Sequence, residues 1–130
     1  MNAKEQTLKA ELTHAIQAAE IYFGETIDLD VLKNENRKGR PNPALLTQRD
    51  FIAAVIDRRK RLTRADWQQR LGYTESRNVA EPISRANTRI GKEIIQAAAL
   101  FGTPWPDDEH LQNYPLRLGG PVWSYREVLQ

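Results

Sequence analysis

Six side chains between positions 76 and 89, Ser76, Arg77, Asn78, Ser84, Arg85 and Arg89, are types that pair with base edges and phosphates, and only Glu75 and Glu81 oppose them. Just before them runs LTRADWQQRLG at 62–72, which carries the signals of a helix start and stop. Thr63 with Asp66 three residues on forms a capping box, and Leu62 and Trp67 occupy the two hydrophobic-staple positions. Leu71-Gly72 offers the left-handed stop, and Thr74 a second cap close behind. The stretch therefore predicts a helix-turn-helix spanning about 62–101. The same pattern also suits a plain helical corner, with Leu62, Trp67, Leu71 and Val79 as core.

Charge placement favours the nucleic-acid chemistry. The net charge is +2, yet residues 33–92 hold 15 of the 19 Lys and Arg but 6 of the 17 Asp and Glu. The basic middle is suited to neutralising phosphates, and the acidic flanks are left to face elsewhere. Arg64, Arg70, Arg89 and Lys92 are expected on phosphates; Ser76, Arg77, Asn78 and Arg85 are expected to read bases. The segment KNENRKGRPNP at 33–43 has no apolar period and two prolines, so it reads as a loop. Its Arg37, Lys38 and Arg40 surround Gly39 and precede Pro41, similar to the Gly-Arg-Pro core of an AT-hook, and suit a narrow minor groove.

The elements that must position these groups are helical. Leu8, Leu12, Ile16, Ala19 and Phe23 stripe an amphipathic helix over about 3–23 that Gly24 can end. His14 lies off that stripe and is expected at the surface. IDLDVL then reads as a brief helical turn begun near Asp28, burying Ile27, Leu29 or Val31, and Leu32. Pro43 suits a first helical position and Thr47 with Asp50 a capping box, giving a scaffold helix from about Ala44 or Gln48 to Lys60 with Phe51, Ile52, Val55 and Ile56 buried. Pro82 is hostile to a helix interior, so either the reading helix kinks there or 74–81 is a turn and the helix begins at Pro82. Ile83, Ala86, Ile90, Ile94, Ala97, Ala98 and Phe101 then form one stripe ending at Gly102.

Composition places limits on the rest. At 130 residues, 40% hydrophobic and 28% charged, the chain is one small globular domain able to bury a core unaided. We read 1–102 as an all-α domain and 103–130, rich in Pro, Gly, Trp and Tyr, as an extended arm that packs back on the domain, on a second subunit or on a protein partner. No apolar run approaches membrane-spanning length, no signal-peptide core is visible and cysteine is absent, so a cytoplasmic protein is expected. Asp107-Asp108-Glu109-His110 cannot converge on one ion, and no second cluster supports them; neither enzyme, metal site nor cofactor is expected.

Residues 18–86 together resemble the C-terminal DNA-binding domain of the bacterial replication initiator DnaA, of the Trp-repressor-like helix-turn-helix group. AAEIYFGETIDLDVLK is similar to its first helix and short acidic turn, and NRKGR to its basic loop. QRDFIAAVIDRR resembles its Arg-Gln-containing scaffold helix, and LTRADWQQRLG its Leu-Ser-x-x-x-Ile-Gly-x-x-Phe-Gly segment. The resemblance implies a minor-groove role for Arg37, Lys38 or Arg40 and a phosphate contact at Thr63 and Arg64. Where the family has Arg-Asp-His-Thr-Thr, this chain has Thr74-Glu75-Ser76-Arg77-Asn78, followed by Pro82. The family's ATPase domain has no counterpart in this sequence. The expectation is a double-stranded DNA-binding regulator of transcription or replication, with a homodimer the common arrangement for such proteins. The alternative is a protein-interaction module or inhibitor that binds a host protein or a nucleic-acid complex.

Overall fold

A computed structural model describes residues 2–35, 42–100, 115–117 and 122–124. The domain is small and all-α, built around one helix that is buried on every side. Helix α1 (Ala3–Phe23) starts at Asn2, whose side chain accepts from the Glu5 amide, and ends at Gly24. α2 (Leu29–Glu35) starts after Asp28, whose carboxylate accepts from the Asp30 amide at 2.9 Å. It buries Ile27 and Leu32 and half-buries Leu29, leaving Val31 exposed; its last turn also makes Lys33–Glu35 helical where a loop was expected.

α3 (Pro43–Arg59) is the centre. Its cap is Asn42, whose side chain accepts from the Ala44 amide at 2.9 Å. The expected Thr47–Asp50 box does not form: Thr47 lies inside the helix and donates back to the Pro43 carbonyl, and Asp50 is buried. Every residue from Gln48 to Ile56 is buried, because α1, α2, α5 and α6 pack around it. A stripe reading captures one face of such a helix and misses the others. Phe51 is roofed by Tyr22, stacked at 5.2 Å, and by Phe23 edge-on at 5.5 Å.

α4 (Arg64–Trp67) runs directly into a 3₁₀ turn, Gln68–Leu71. The capping box is present, with the Thr63 amide donating to Asp66 Oδ2 at 2.8 Å, and Trp67 and Leu71 are wholly buried. Gly72 closes the turn at φ +87°, where a Cβ would lie 2.4 Å from the Lys33 carbonyl oxygen of α2. A second 3₁₀ turn, Ser76–Val79, leads into α5 (Ala80–Ala86). Pro82 is thus in the first turn of α5, where its missing N–H has no intrahelical partner to lose and no kink is needed. A π turn, Asn87–Gly91, then joins α5 to α6 (Lys92–Leu100).

That π turn inserts one residue into the helical register, which rotates everything beyond it by about a third of a turn. Ile83 and Ala86 are buried before it; beyond it Ile95 is fully buried while Ile94 is only half-buried. Of the expected stripe, Ile83, Ala86, Ala97 and Ala98 are buried and Ile90 and Ile94 are half-buried, while Ile95, which lay off it, is fully buried. Phe101 and Gly102 lie outside the described residues, as does most of the 103–130 arm. Within that arm β1 (Pro115–Arg117) and β2 (Val122–Ser124) pair antiparallel, with Leu116 opposite Trp123. No helix among the described residues is long and apolar enough to cross a membrane.

Candidate nucleic-acid interface

Folding brings part of the acidic N-terminal flank onto the basic middle: α1 sets Glu5 and Glu11 against arginines of that segment. Glu11 is buried and receives Arg59, whose Nη1 also donates to the Ala99 carbonyl at 2.7 Å, and Arg61 approaches the other Glu11 oxygen at 3.5 Å. Glu5 pairs with Arg70 at 2.9 Å, and Lys4 with Asp66 at 3.0 Å. Arg64 turns back to Asp57 at 2.9 Å, and that hydrogen bond holds its guanidinium above the usual range.

His14 belongs to the same seam and corrects the expectation of a surface histidine. It is half-buried, with Nε2 2.8 Å from the Ala98 carbonyl and 3.3 Å from Arg59 Nη1. Burial, seconded by Arg59, outweighs the carbonyl and Glu11 and moves its pKa below the ordinary value.

A second buried knot ties α3 to α5. Asp50 accepts from Arg85 Nε at 3.2 Å and from the Tyr73 hydroxyl at 3.5 Å, and the Arg49 guanidinium lies 4.4 Å over the Tyr73 ring. Burial pushes both the Asp50 carboxyl and the Tyr73 phenol up, while Arg85 is held charged by its bond to Asp50. Arg49, Asp50 and Tyr73 drew no notice in the sequence as a unit; their positions, 23 and 35 residues from their partners, carry no local signal.

The residues singled out in the sequence are thus distributed unequally. Arg85 is anchored by Asp50 and also reaches Glu81 at 3.4 Å. Asn78 is exposed and donates to the Thr74 hydroxyl at 3.0 Å. Ser76 and Arg77 have their backbone in the 3₁₀ turn before α5. Thr63 is exposed at the start of α4, beside Arg64 and Arg70 with their partners. Arg37, Lys38 and Arg40 lie outside the described residues.

Arg89 and Lys92 are exposed and make no ion pair with any described residue. With Ser84 and Thr88 they form an outward row on the helix of 80–100, Ser84, Thr88 and Lys92 following at intervals of four. Thr88 carries no signal in the sequence, because neither its type nor its neighbours Asn87 and Arg89 show that it faces outward. The π turn helps set this row, since it fixes the angle between Ser84 before it and Lys92 beyond it. No family model, curated protein or solved structure matches this chain.

Proposed function

We infer that this chain binds double-stranded DNA, with α4, the Gly72 turn and the helix of 80–100 acting as a helix-turn-helix similar to that of the initiator DnaA. The observation that carries the reading is the outward row Ser84, Thr88, Arg89 and Lys92: two hydroxyls and two cations, about a turn apart, on a helix whose opposite side is buried against α3. Hydroxyls suit base edges and the cations suit phosphates. Arg85 serves this surface as a positioning residue, tying the start of the reading helix to α3 through Asp50. Asn78, with Ser76 and Arg77 on the preceding turn, stands at the entry of the same helix. The basic loop bearing Arg37, Lys38 and Arg40 takes the minor groove. Such a protein regulates transcription or replication by occupying a site, not by catalysis.

The test is fluorescence anisotropy with an initiator-box duplex and a scrambled duplex across a salt series. Binding should weaken steeply with salt, with a log–log slope of about −0.9 for each phosphate neutralised. A preference for the initiator box would place Ser76-Arg77-Asn78 among readers of the family's site. No binding to either duplex at low salt would sink the DNA reading and favour a protein partner.

A further inference from the structure

Beside the Gly72 turn opens a cavity of about 460 Å³, lined by Arg49, Tyr73, Thr74, Asn78, Glu81 and Arg85 among others. Its volume lies within the ordinary range for small-ligand sites. A second hollow of about 360 Å³ shares Gly72, Tyr73 and Thr74 with it and is lined also by Lys33 and Gln69. The largely buried Arg49 has its guanidinium carbon 4.4 Å from the Tyr73 ring centroid, and Arg85 is held by Asp50, so both arginines contribute to the wall. Only one of the two carboxylates here is structural. Asp50 is buried, 7% exposed in its side chain, whereas Glu81 is 83% exposed and holds Arg85 Nη1 at a long 3.4 Å.

The Glu81 carboxylate therefore occupies a place that a better oxyanion would take. A ligand phosphate or carboxylate at that place would meet a planar guanidinium suited to bidentate pairing, with the Thr74 hydroxyl and the Asn78 amide on the same wall. The cost of displacing a solvated, weakly paired glutamate is small.

We propose that this cavity is a binding site for a small free ligand bearing a phosphate or carboxylate group, seated on Arg85 and Arg49 in place of Glu81. Arg85 and Glu81 belong to α5, and Thr74 and Asn78 to the segment leading into it. The inference stands whether or not the chain binds DNA, because the seat is formed by the free protein.

The experiment is a titration of the intact, ¹⁵N-labelled protein with inorganic phosphate and with adenosine monophosphate, at constant ionic strength set by chloride. Saturable shifts confined to the amides of Gly72–Asn78 and Glu81–Arg85 are expected. Glu81→Gln should tighten binding at least about threefold by removing the competing carboxylate, and Asn78→Ala should weaken it severalfold. Both sites are exposed, so both variants should fold; Arg85→Met, which should abolish binding, is read only if its spectrum remains dispersed. Shifts spread over the basic surface, or an affinity that Glu81→Gln leaves unchanged, would overturn the proposal. A parallel titration of the phosphate-loaded protein with duplex separates the two sources of a phosphate. Competition between them would assign the seat to a DNA phosphodiester and overturn the free-ligand reading; independent binding, or a duplex that does not bind at all, leaves it supported by the shifts.

Discussion

Two basic surfaces of this protein, both written as Arg-rich sequence, do opposite things. The surface facing α1 holds Arg59, Arg61 and Arg70, each met by a carboxylate of α1. The outward row on the helix of 80–100 holds Arg89 and Lys92, which meet none among the described residues. The first is structural glue of graded depth, from the buried Arg59–Glu11 pair to the open Arg70–Glu5 pair, whose side chains are 49% and 45% exposed. The second is a surface free to meet phosphates. Residue type and local charge are the same in both; what differs is whether another element brings an acid within reach.

The largest effect on this contrast should come from Arg59→Ala. It leaves the buried Glu11 carboxylate with only the longer contact to the exposed Arg61 and removes a donor from the Ala99 carbonyl, so urea unfolding should show a loss of about 3 kcal/mol. Next comes Gly72→Ala, where the left-handed backbone and the nearby Lys33 carbonyl both object; a loss of about 2–3 kcal/mol is expected. Gly24→Ala shares the left-handed backbone, at φ +72°, but has open space around it, and should lose only about 1 kcal/mol. Equal losses at the two glycines would refute the close packing of the turn against α2.

The double change Arg89→Ala, Lys92→Ala should leave stability within about 0.5 kcal/mol. In the anisotropy assay the same pair should weaken duplex binding about tenfold or more and flatten the salt slope by about two units. An unchanged slope would detach the outward row from phosphate binding. Arg70→Ala sits at the other pole: an exposed pair is lost, and unfolding should register less than about 1 kcal/mol.

The smallest effect is a pH dependence in the α1 seam. His14 has a folded pKa below its ordinary 6.5, so the folded state holds fewer protons than the unfolded chain as pH falls past that value. Its contribution is intact above pH 6.5 and is lost as pH drops through the folded value. The urea midpoint should therefore fall between pH 7.5 and 5.5, and His14→Gln should flatten that fall. A midpoint as steep in the variant as in the parent would remove His14 from the seam.

The local signals were legible because they act within three or four residues. The Thr63–Asp66 box, the Gly72 stop, Pro43 at a first helical position and the Ile83–Ala86 step, with Ile90 half-buried beyond it, all close over a turn of chain, and each is seen in the fold. Local grammar also misled once: Thr47–Asp50 has the spacing of a capping box, but Asn42 caps first and Asp50 is drawn inside to Arg85. The π turn escaped for a related reason, since one inserted residue leaves the helical pattern looking continuous while adding Ile95 to the buried face beside Ala97 and Ala98.

The sequence by itself determined an all-α domain, those helix ends that a local cap or glycine marks, and how much positive charge its middle carries. The tertiary structure alone decided which of those charges remain available. Arg59 lies 48 residues from Glu11, Arg70 65 from Glu5 and Arg85 35 from Asp50. No periodicity along the chain encodes such pairings. They exist because α3 is wrapped by its neighbours, so that burial of its apolar sides carries Glu5 and Glu11 of α1 onto one set of arginines while Arg89 and Lys92 stay exposed.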